Sequence, residues 1–121
     1  MFKAMILLKR NADMSFEEFT DWWLTEHAPL AKELPGLQKG VFNLVEGQGD
    51  EEFDGVSELW FNTKEAFEAA YATEKGKAVA NDSLSKVSKR VRLFVAENSI
   101  RDLSIRPIFP SDITELAMDF Q

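Results

Sequence analysis

The stretch SFEEFTDWWLTEHAPLAKELPG, residues 15–36, decides how the rest of the chain is arranged. Ser15 and Glu18 have the spacing of a capping box, which predicts a helix that begins at Ser15. The apolar side chains of this stretch recur every three or four residues and therefore share one helix face. They are Phe16, Phe19, Trp23, Leu30 and Leu34. His27, the only histidine of the chain, falls in the middle of the same face.

Pro29 interrupts the hydrogen bonding of this helix. Its nitrogen cannot donate to the carbonyl of Thr25, and its ring disfavours helical backbone at Ala28. The sequence therefore predicts a kink, or a break and restart, at His27. A titratable ring beside such a defect is either a core residue or the polar member of a ligand pocket. The spacing alone favours the core, because most residues on such a face are buried for packing.

Composition and charge limit the class of protein. A chain of 121 residues, 45% of them hydrophobic, can form one domain with a substantial core. The formal net charge of −7 argues against a nucleic-acid partner, which would be bound chiefly through Lys and Arg. The absence of cysteine excludes disulfides and thiolate catalysis, and a single histidine argues against a metal site. No apolar run is long enough for a membrane span, so we expect no membrane partner and a cytoplasmic protein.

Strand and helix patterns alternate along the chain. Four strands are predicted, at residues 2–9, 37–46, 56–61 and 89–97. A second helix is predicted after Asn62, which has the N-cap spacing to Glu65, and Gly76 is expected to interrupt it. The order strand, helix, strand, strand, helix, strand is the ferredoxin-like β-α-β-β-α-β pattern. We therefore predict an α+β fold with a four-stranded antiparallel sheet and both helices on one face.

The alternation within each strand also predicts which side chains face the helices. The helix-facing set is Ala4, Ile6, Leu8, Ser57, Leu59, Phe61, Val91, Leu93 and Val95. The opposite face would carry Met5, Leu7, Phe42, Leu44, Val56, Trp60 and Phe94, with Glu58 and Arg92 placed to pair there. A sheet face open to water is normally polar, and a large apolar patch marks an interface. We therefore predict a homodimer in which two sheets lie face to face.

The last residues, 101–121, differ from the rest of the chain. They include two prolines, the apolar residues Ile108 and Phe109, and a cap signal at Asp112 for a last short helix. This segment is too apolar for a free tail. The predicted organisation is one domain over residues 1–100 and an extension over residues 101–121 that docks on its own subunit or another.

The chain resembles the EthD family of the dimeric α+β-barrel superfamily. The most specific element is W-x-x-x-H-A-P-L-A at residues 23–31, followed by G-V-x-E-L-W-F at residues 55–61. The resemblance extends over roughly residues 2–100. It implies a two-fold barrel built from two sheets, with a small-molecule pocket in each subunit between the sheet and its helices.

The resemblance also implies which residues form that pocket. His27 and Tyr71 would be its catalytic residues. A small hydrophobic substrate would bind against Phe19, Trp23, Ala4, Ile6, Leu8, Ser57, Leu59, Leu93 and Val95. Related barrels include cofactor-free monooxygenases, polyketide cyclases and muconolactone-type isomerases. Some of these cyclases carry a histidine in the second helical region, which here has none, and this argues against a cyclase mechanism of that type.

The implied function is that of a cofactor-independent enzyme acting on a small aromatic, hydrophobic or lactone substrate. Its chemistry would be monooxygenation, and hence oxidoreductase activity, or isomerisation, or a proton-transfer lyase reaction. A histidine near its reference pKa of about 6.5 can serve as acid or base in each of these reactions. The alternative is a non-catalytic protein that binds or carries such a molecule. A haem protein with His27 as ligand is a third, more distant alternative.

Overall fold

The protein folds as one antiparallel sheet with helices on one of its faces. The computed structural model describes residues 1–47 and 50–103. The elements are β1 (Phe2–Arg10), α1 (Phe16–Trp22), a π-helical turn (Trp23–His27), α2 (Ala28–Lys32), β2 (Lys39–Leu44), β3 (Gly55–Phe61), α3 (Lys64–Ala72), α4 (Glu74–Lys86) and β4 (Val87–Ala96). The four strands are all antiparallel to their neighbours, in the order β2-β3-β1-β4. This is the predicted α+β ferredoxin-like fold.

The predicted docked extension with Ile108 and Phe109, and the helix capped by Asp112, lie outside the described residues. Within residues 1–47 and 50–103, no helix has the length and apolar character that a membrane crossing requires.

The first helix begins at the predicted capping box. The Ser15 hydroxyl accepts from the Glu18 N–H at 3.0 Å, and the Glu18 carboxylate accepts from the Ser15 N–H at 2.9 Å. The irregularity predicted at His27 takes the form of a π turn, in which the Ala28 N–H donates to the Trp23 carbonyl. Ala28 keeps helical angles, so the expected break and restart there is wrong. The wider turn accommodates Pro29, which has no N–H to donate, without ending the helix.

The second helical region breaks at Thr73 and not, as predicted, at Gly76. Thr73 has extended backbone, and its hydroxyl accepts from the Gly76 N–H at 3.1 Å to begin α4. A Cβ on Gly76 would lie 2.2 Å from the carbonyl oxygen of Ala70 and 2.4 Å from the Cα of Tyr71. Glycine at this position therefore lets α4 begin in direct contact with the end of α3, which carries Tyr71.

The side chains of β2 point to the opposite faces of the sheet from those predicted. In the ladder with β3, Phe42 lies opposite Ser57 and Leu44 lies opposite Gly55. Directly paired residues share a face of an antiparallel sheet. Phe42 and Leu44 therefore point toward the helices and not, as predicted, to the opposite face. Phe42 stacks on Trp23 of the π turn, with 4.4 Å between ring centroids.

The side chains of β4 also point to the opposite faces from those predicted. Its Arg92 and Phe94 lie opposite helix-facing residues of β1, so both belong to the face that carries the helices. Leu93 and Val95 point to the other face. The predicted place of Leu93 and Val95 in a pocket floor is therefore wrong, as is the predicted pairing of Arg92 with Glu58.

The face opposite the helices carries many apolar side chains after this correction, together with the polar residues Lys39 and Asn43 of β2. It carries Met5, Leu7, Val41, Val56, Trp60, Val91, Leu93 and Val95. Lys3 lies among them and forms ion pairs at 2.7 Å with Glu58 and at 3.0 Å with Glu97. Met5, Leu7, Val56 and Trp60 lie on this face as predicted, whereas Phe42, Leu44 and Phe94 do not. The apolar character of the face still indicates an interface.

Candidate functional site

The contact between the π turn and α4 brings together three polar side chains. His27 is only 4% exposed. Its Nδ1 lies 2.8 Å from Oδ2 of Asp82, and its Nε2 lies 3.2 Å from the hydroxyl of Ser83. Because a carboxylate can only accept, Nδ1 carries the ring proton and Nε2 is the acceptor of the neutral ring. The Ser83 hydroxyl then donates to Nε2.

The protonation state of His27 follows from two opposing effects. Burial lowers its pKa from the ordinary value of 6.5, and the hydrogen bond and charge of Asp82 raise it in part. Since burial is the larger effect, the ring is neutral at physiological pH and can take a proton at Nε2. Trp22 holds the carboxylate in place, because its Nε1 lies 3.2 Å and 3.3 Å from the two oxygens of Asp82.

A pocket between the helices and the sheet adjoins this trio. Its inner part, the recess, has a volume of about 20 Å³ and is lined by His27, Ser83, Trp23 and Ser57 among others. Its outer part, the mouth, has a volume of about 340 Å³. Ile6, Tyr71, Ala80 and Arg90 line both parts, so the recess is the inner end of the mouth.

Tyr71 lies at the junction of the recess and the mouth. Burial raises the pKa of its phenol above the ordinary 10.0, although the charges of Arg92 and Arg90 partly oppose this. The phenol is therefore protonated and can donate a hydrogen bond. Within the described residues, no side chain or backbone group bonds its hydroxyl, which leaves this donor available to a molecule in the pocket.

The mouth is cationic. Arg90, Arg92 and Lys77 line it together with the polar Asn81. The Arg92 guanidinium lies over the rings of Phe67, Tyr71 and Phe94, at 5.1, 5.7 and 5.5 Å from their centroids. In the part of the chain that the structure describes, neither arginine forms an ion pair.

The structure places seven of the eleven predicted site residues around the recess. They are His27, Tyr71, Trp23, Ile6, Leu8, Ser57 and Leu59. Ala4 and Phe19 are fully buried in the adjoining core and do not line the recess. Leu93 and Val95 lie on the other face of the sheet.

The sequence analysis missed several residues of the site. They are Asp82, Ser83, Phe42, Arg90 and Arg92. Asp82 and Ser83 follow Val79 by three and four residues and therefore share its helix face, a signal that was present in the sequence. The positions of Phe42, Arg90 and Arg92 depend on the registers of β2 and β4. The alternation of apolar residues had assigned these side chains to the wrong face of the sheet.

Metal and haem binding receive little support from this geometry. Among the residues that the structure describes, no three His, Asp or Glu side chains are grouped to hold a metal ion. Both ring nitrogens of His27 are engaged by Asp82 and Ser83. Haem ligation by His27 would therefore require one of these contacts to break.

Comparison with known proteins places this fold and site in a family. A model of the EthD domain matches residues 11–86, more than half of the chain. The crystal structure of an EthD family protein from Bacillus halodurans matches with a TM-score of 0.71 at 25% identity, covering 81% of this chain and 99% of that one. A comparison with curated proteins finds no match.

Two further solved structures share the fold at lower identity. A dimeric ferredoxin-like protein from Thermobifida fusca has a TM-score of 0.67 at 16% identity, covering 79% of this chain and 90% of that one. A mutant of SnoaB, a cofactor-independent oxygenase from Streptomyces nogalater, has a TM-score of 0.60 at 14% identity, covering 85% and 96%. The sheet order, the helix with its π turn and the match over residues 11–86 lead to one conclusion: the chain belongs to the EthD domain family.

Proposed function

We propose that this protein is a cofactor-independent enzyme that removes a proton from a small, largely apolar substrate, with His27 as the base. The observation that carries this proposal is the contact of the buried His27 ring with Asp82 on one side and Ser83 on the other. Asp82 fixes the tautomer of the ring. It also stabilises the imidazolium that forms when the Ser83 hydroxyl turns away from Nε2 and this nitrogen takes a substrate proton. Burial keeps the resting ring neutral, as a general base must be.

The other groups of the pocket suit the anion that proton removal produces. Tyr71 supplies a protonated phenol and Arg90 a positive charge, and both line the recess beside His27. The substrate anion can take a proton back at another carbon, which is isomerisation. It can also react with molecular oxygen at a CH₂ carbon, so that one oxygen atom stays in the product as a carbonyl and the other leaves as water, which is monooxygenation. Both reactions begin with the same step at Nε2.

Trp23 gives a second reason to expect a ligand in the recess. Its Nε1 is buried and has no hydrogen-bond partner among the described residues. Buried donors are nearly always paired, because an unpaired one loses about 1–3 kcal/mol of solvation. An acceptor atom of a substrate would supply this missing partner once the side chains that cover Nε1 move aside.

Exchange of a substrate proton with solvent tests the proposal without knowledge of the final product. Anthrones and lactones carry acidic C–H groups whose exchange in D₂O can be followed by NMR. We expect wild type to accelerate exchange of at least one such compound, and His27→Gln to lower the rate about 10²–10⁴-fold while the fold is retained. Lys75→Gln, which changes an exposed side chain that lines neither the recess nor the mouth, is the control and should retain the full rate.

A carrier protein is the alternative function, and the apolar walls of the pocket favour it. The same experiment separates the two functions. Saturable binding of a compound whose exchange wild type does not accelerate would contradict the enzyme and support the carrier. Equal acceleration by wild type and His27→Gln would contradict the role of His27 as the base.

We further propose that the protein is a homodimer through the apolar face of its sheet. The face opposite the helices includes Leu93, which is 45% exposed in the single chain. The Thermobifida fusca protein that shares the fold is dimeric. Sedimentation of wild type should give twice the chain mass of 13.8 kDa, and Leu93→Glu should give a monomer, since it places a charge in a desolvated interface. A monomeric wild type at low micromolar concentration would contradict this assembly.

A further inference from the structure

Arg90 and Arg92, which line the mouth, have no ion-pair partner among the described residues. Arg90 and Arg92 are two positions apart on β4, so they lie on the same face of the strand, about 7 Å apart along it. Arg90 is partly buried, whereas Arg92 is more exposed. No carboxylate of the described residues pairs with either one, although the chain carries 21 acidic residues and only 14 Lys and Arg.

The geometry around these arginines is fixed before any ligand enters. The Arg92 side chain lies over three aromatic rings, which hold its guanidinium at the pocket wall. Burial and the nearby charge of Arg92 both lower the pKa of Arg90, so bringing two cations together here is unfavourable. A pair of this kind is stabilised when an anion lies between its members.

The rest of the pocket defines the body of that anion. Ile6 and Ala80 provide apolar wall at the mouth, and Tyr71 adds an aromatic ring at its inner end. A mouth of about 340 Å³ lies within the usual size range of pockets for small organic molecules. A bare inorganic ion would leave these apolar walls without a partner.

We propose that the substrate of this enzyme is an organic carboxylate with an aromatic body, whose carboxylate binds between Arg90 and Arg92. The proposal rests on the proposed function for its pocket and names the class of substrate. With the carboxylate held at the mouth, the aromatic body extends past Tyr71 toward the recess. The arginines thus orient the substrate, while His27 receives the proton.

A pair of aromatic compounds that differ only in charge tests this inference. The probes are 1-naphthoate and its neutral analogue 1-naphthamide. Since the chain has one histidine and one tyrosine, the NMR signals of their rings report binding at the pocket without assignment ambiguity. We expect 1-naphthoate to shift both signals saturably and to bind about 10–100-fold more tightly than 1-naphthamide.

Substitutions then locate the source of that preference. Arg90→Gln and Arg92→Gln should each reduce the preference for 1-naphthoate about tenfold or more. Arg92→Lys keeps the positive charge but loses the planar guanidinium, and it should retain part of the preference for 1-naphthoate. Lys75→Gln is the matched control: it removes one positive charge from a side chain that is 66% exposed and does not line the mouth. Thermal melts confirm that each variant is folded.

The outcomes distinguish this inference from the proposed function. Equal binding of the two probes, a preference that survives both glutamine variants, or displacement by inorganic phosphate at the same concentration would overturn the carboxylate site. The proton-exchange experiment with His27→Gln would be unaffected by any of these results. Conversely, a preference for 1-naphthoate that depends on both arginines would support the anion site even if His27→Gln left the exchange rate unchanged. If neither probe shifts either ring signal, the pocket does not take aromatic ligands and the inference is overturned.

Discussion

Two arginines of the same sheet, Arg10 and Arg90, have opposite electrostatic surroundings. At the end of β1, the backbone N–H of Arg10 donates to Asp54 at 2.9 Å and its guanidinium donates to the same carboxylate at 2.5 Å. Asp54 is 1% exposed, and Lys9 lies 3.6 Å from it. Arg90 has no such partner in the described chain. The matched charges at Arg10 connect β1 to the start of β3. The unpaired charge of Arg90 lines the pocket for which we propose a ligand.

Charge pairing thus distinguishes Arg10, which is bonded within the fold, from Arg90, for which we propose a ligand. A buried carboxylate that is fully bonded contributes to stability and leaves nothing for a ligand. A partly buried cation without a counter-ion lowers stability slightly and is available for binding. Substitutions at the two places should therefore change different quantities.

The largest effect on stability is expected at Asp54. Asp54→Asn leaves two cations, Arg10 and Lys9, beside a neutral buried group. The free energy of unfolding should fall by about 3 kcal/mol, as is typical when one partner of a buried ion pair is removed. Glu52→Gln is the matched control, because Glu52 is 72% exposed and pairs with Lys89 at the surface. Its effect should stay within about 0.5 kcal/mol in the same urea titration. Equal effects of the two changes would contradict the structural role assigned to the ion pair between Asp54 and Arg10.

A smaller loss of stability is expected at Arg92. Its guanidinium packs over three rings, so Arg92→Gln removes these contacts as well as a charge. We expect about 1 kcal/mol of destabilisation, measured by chemical denaturation. No change in stability would show that the stacked arrangement is not maintained in solution.

The effect of Arg90→Gln on stability should be close to zero. The change breaks no ion pair among the described residues, and it relieves repulsion from Arg92. We expect the free energy of unfolding to change by less than about 0.5 kcal/mol, or to rise. A loss comparable to that of Asp54→Asn would mean that Arg90 has a structural partner, and the distinction between the two arginines would fail.

His27 contributes a pH dependence of stability, which appears only below pH 6.5. Its pKa is lowered in the folded state, so the unfolded chain binds the proton more readily below pH 6.5. The contribution of the neutral ring is therefore complete above pH 6.5 and is lost as the pH falls through the folded pKa. Each unit of lowering corresponds to about 1.4 kcal/mol. Denaturation of wild type and His27→Gln at several pH values should show wild type losing stability relative to the variant below pH 6.5. A difference that is independent of pH would contradict this.

Local signals in the sequence predicted the fold better than the site. The capping box at Ser15 and the order of strands and helices led to the correct architecture. Faces of the two edge strands were reversed because apolar residues are consecutive there, as in Leu93, Phe94 and Val95, so the alternation alone does not select a register. Asp82 was missed because it lies 55 residues from His27 and only the packing of α4 on the π turn brings them together. The cationic mouth depended on the same register and could not be predicted without it.

The pH dependence of catalysis, compared with the titration of the single histidine, tests the central claim most directly. The pKa of His27 can be read from its ring signals by NMR, and it should lie below 6.5. If neutral His27 is the base, kcat/KM for proton exchange should rise with pH through that same pKa and then level off. Asp82→Asn, which removes the group that raises the pKa, should move both the titration and the rate profile to lower pH. A rate that stays constant across the titration of the ring would contradict the account.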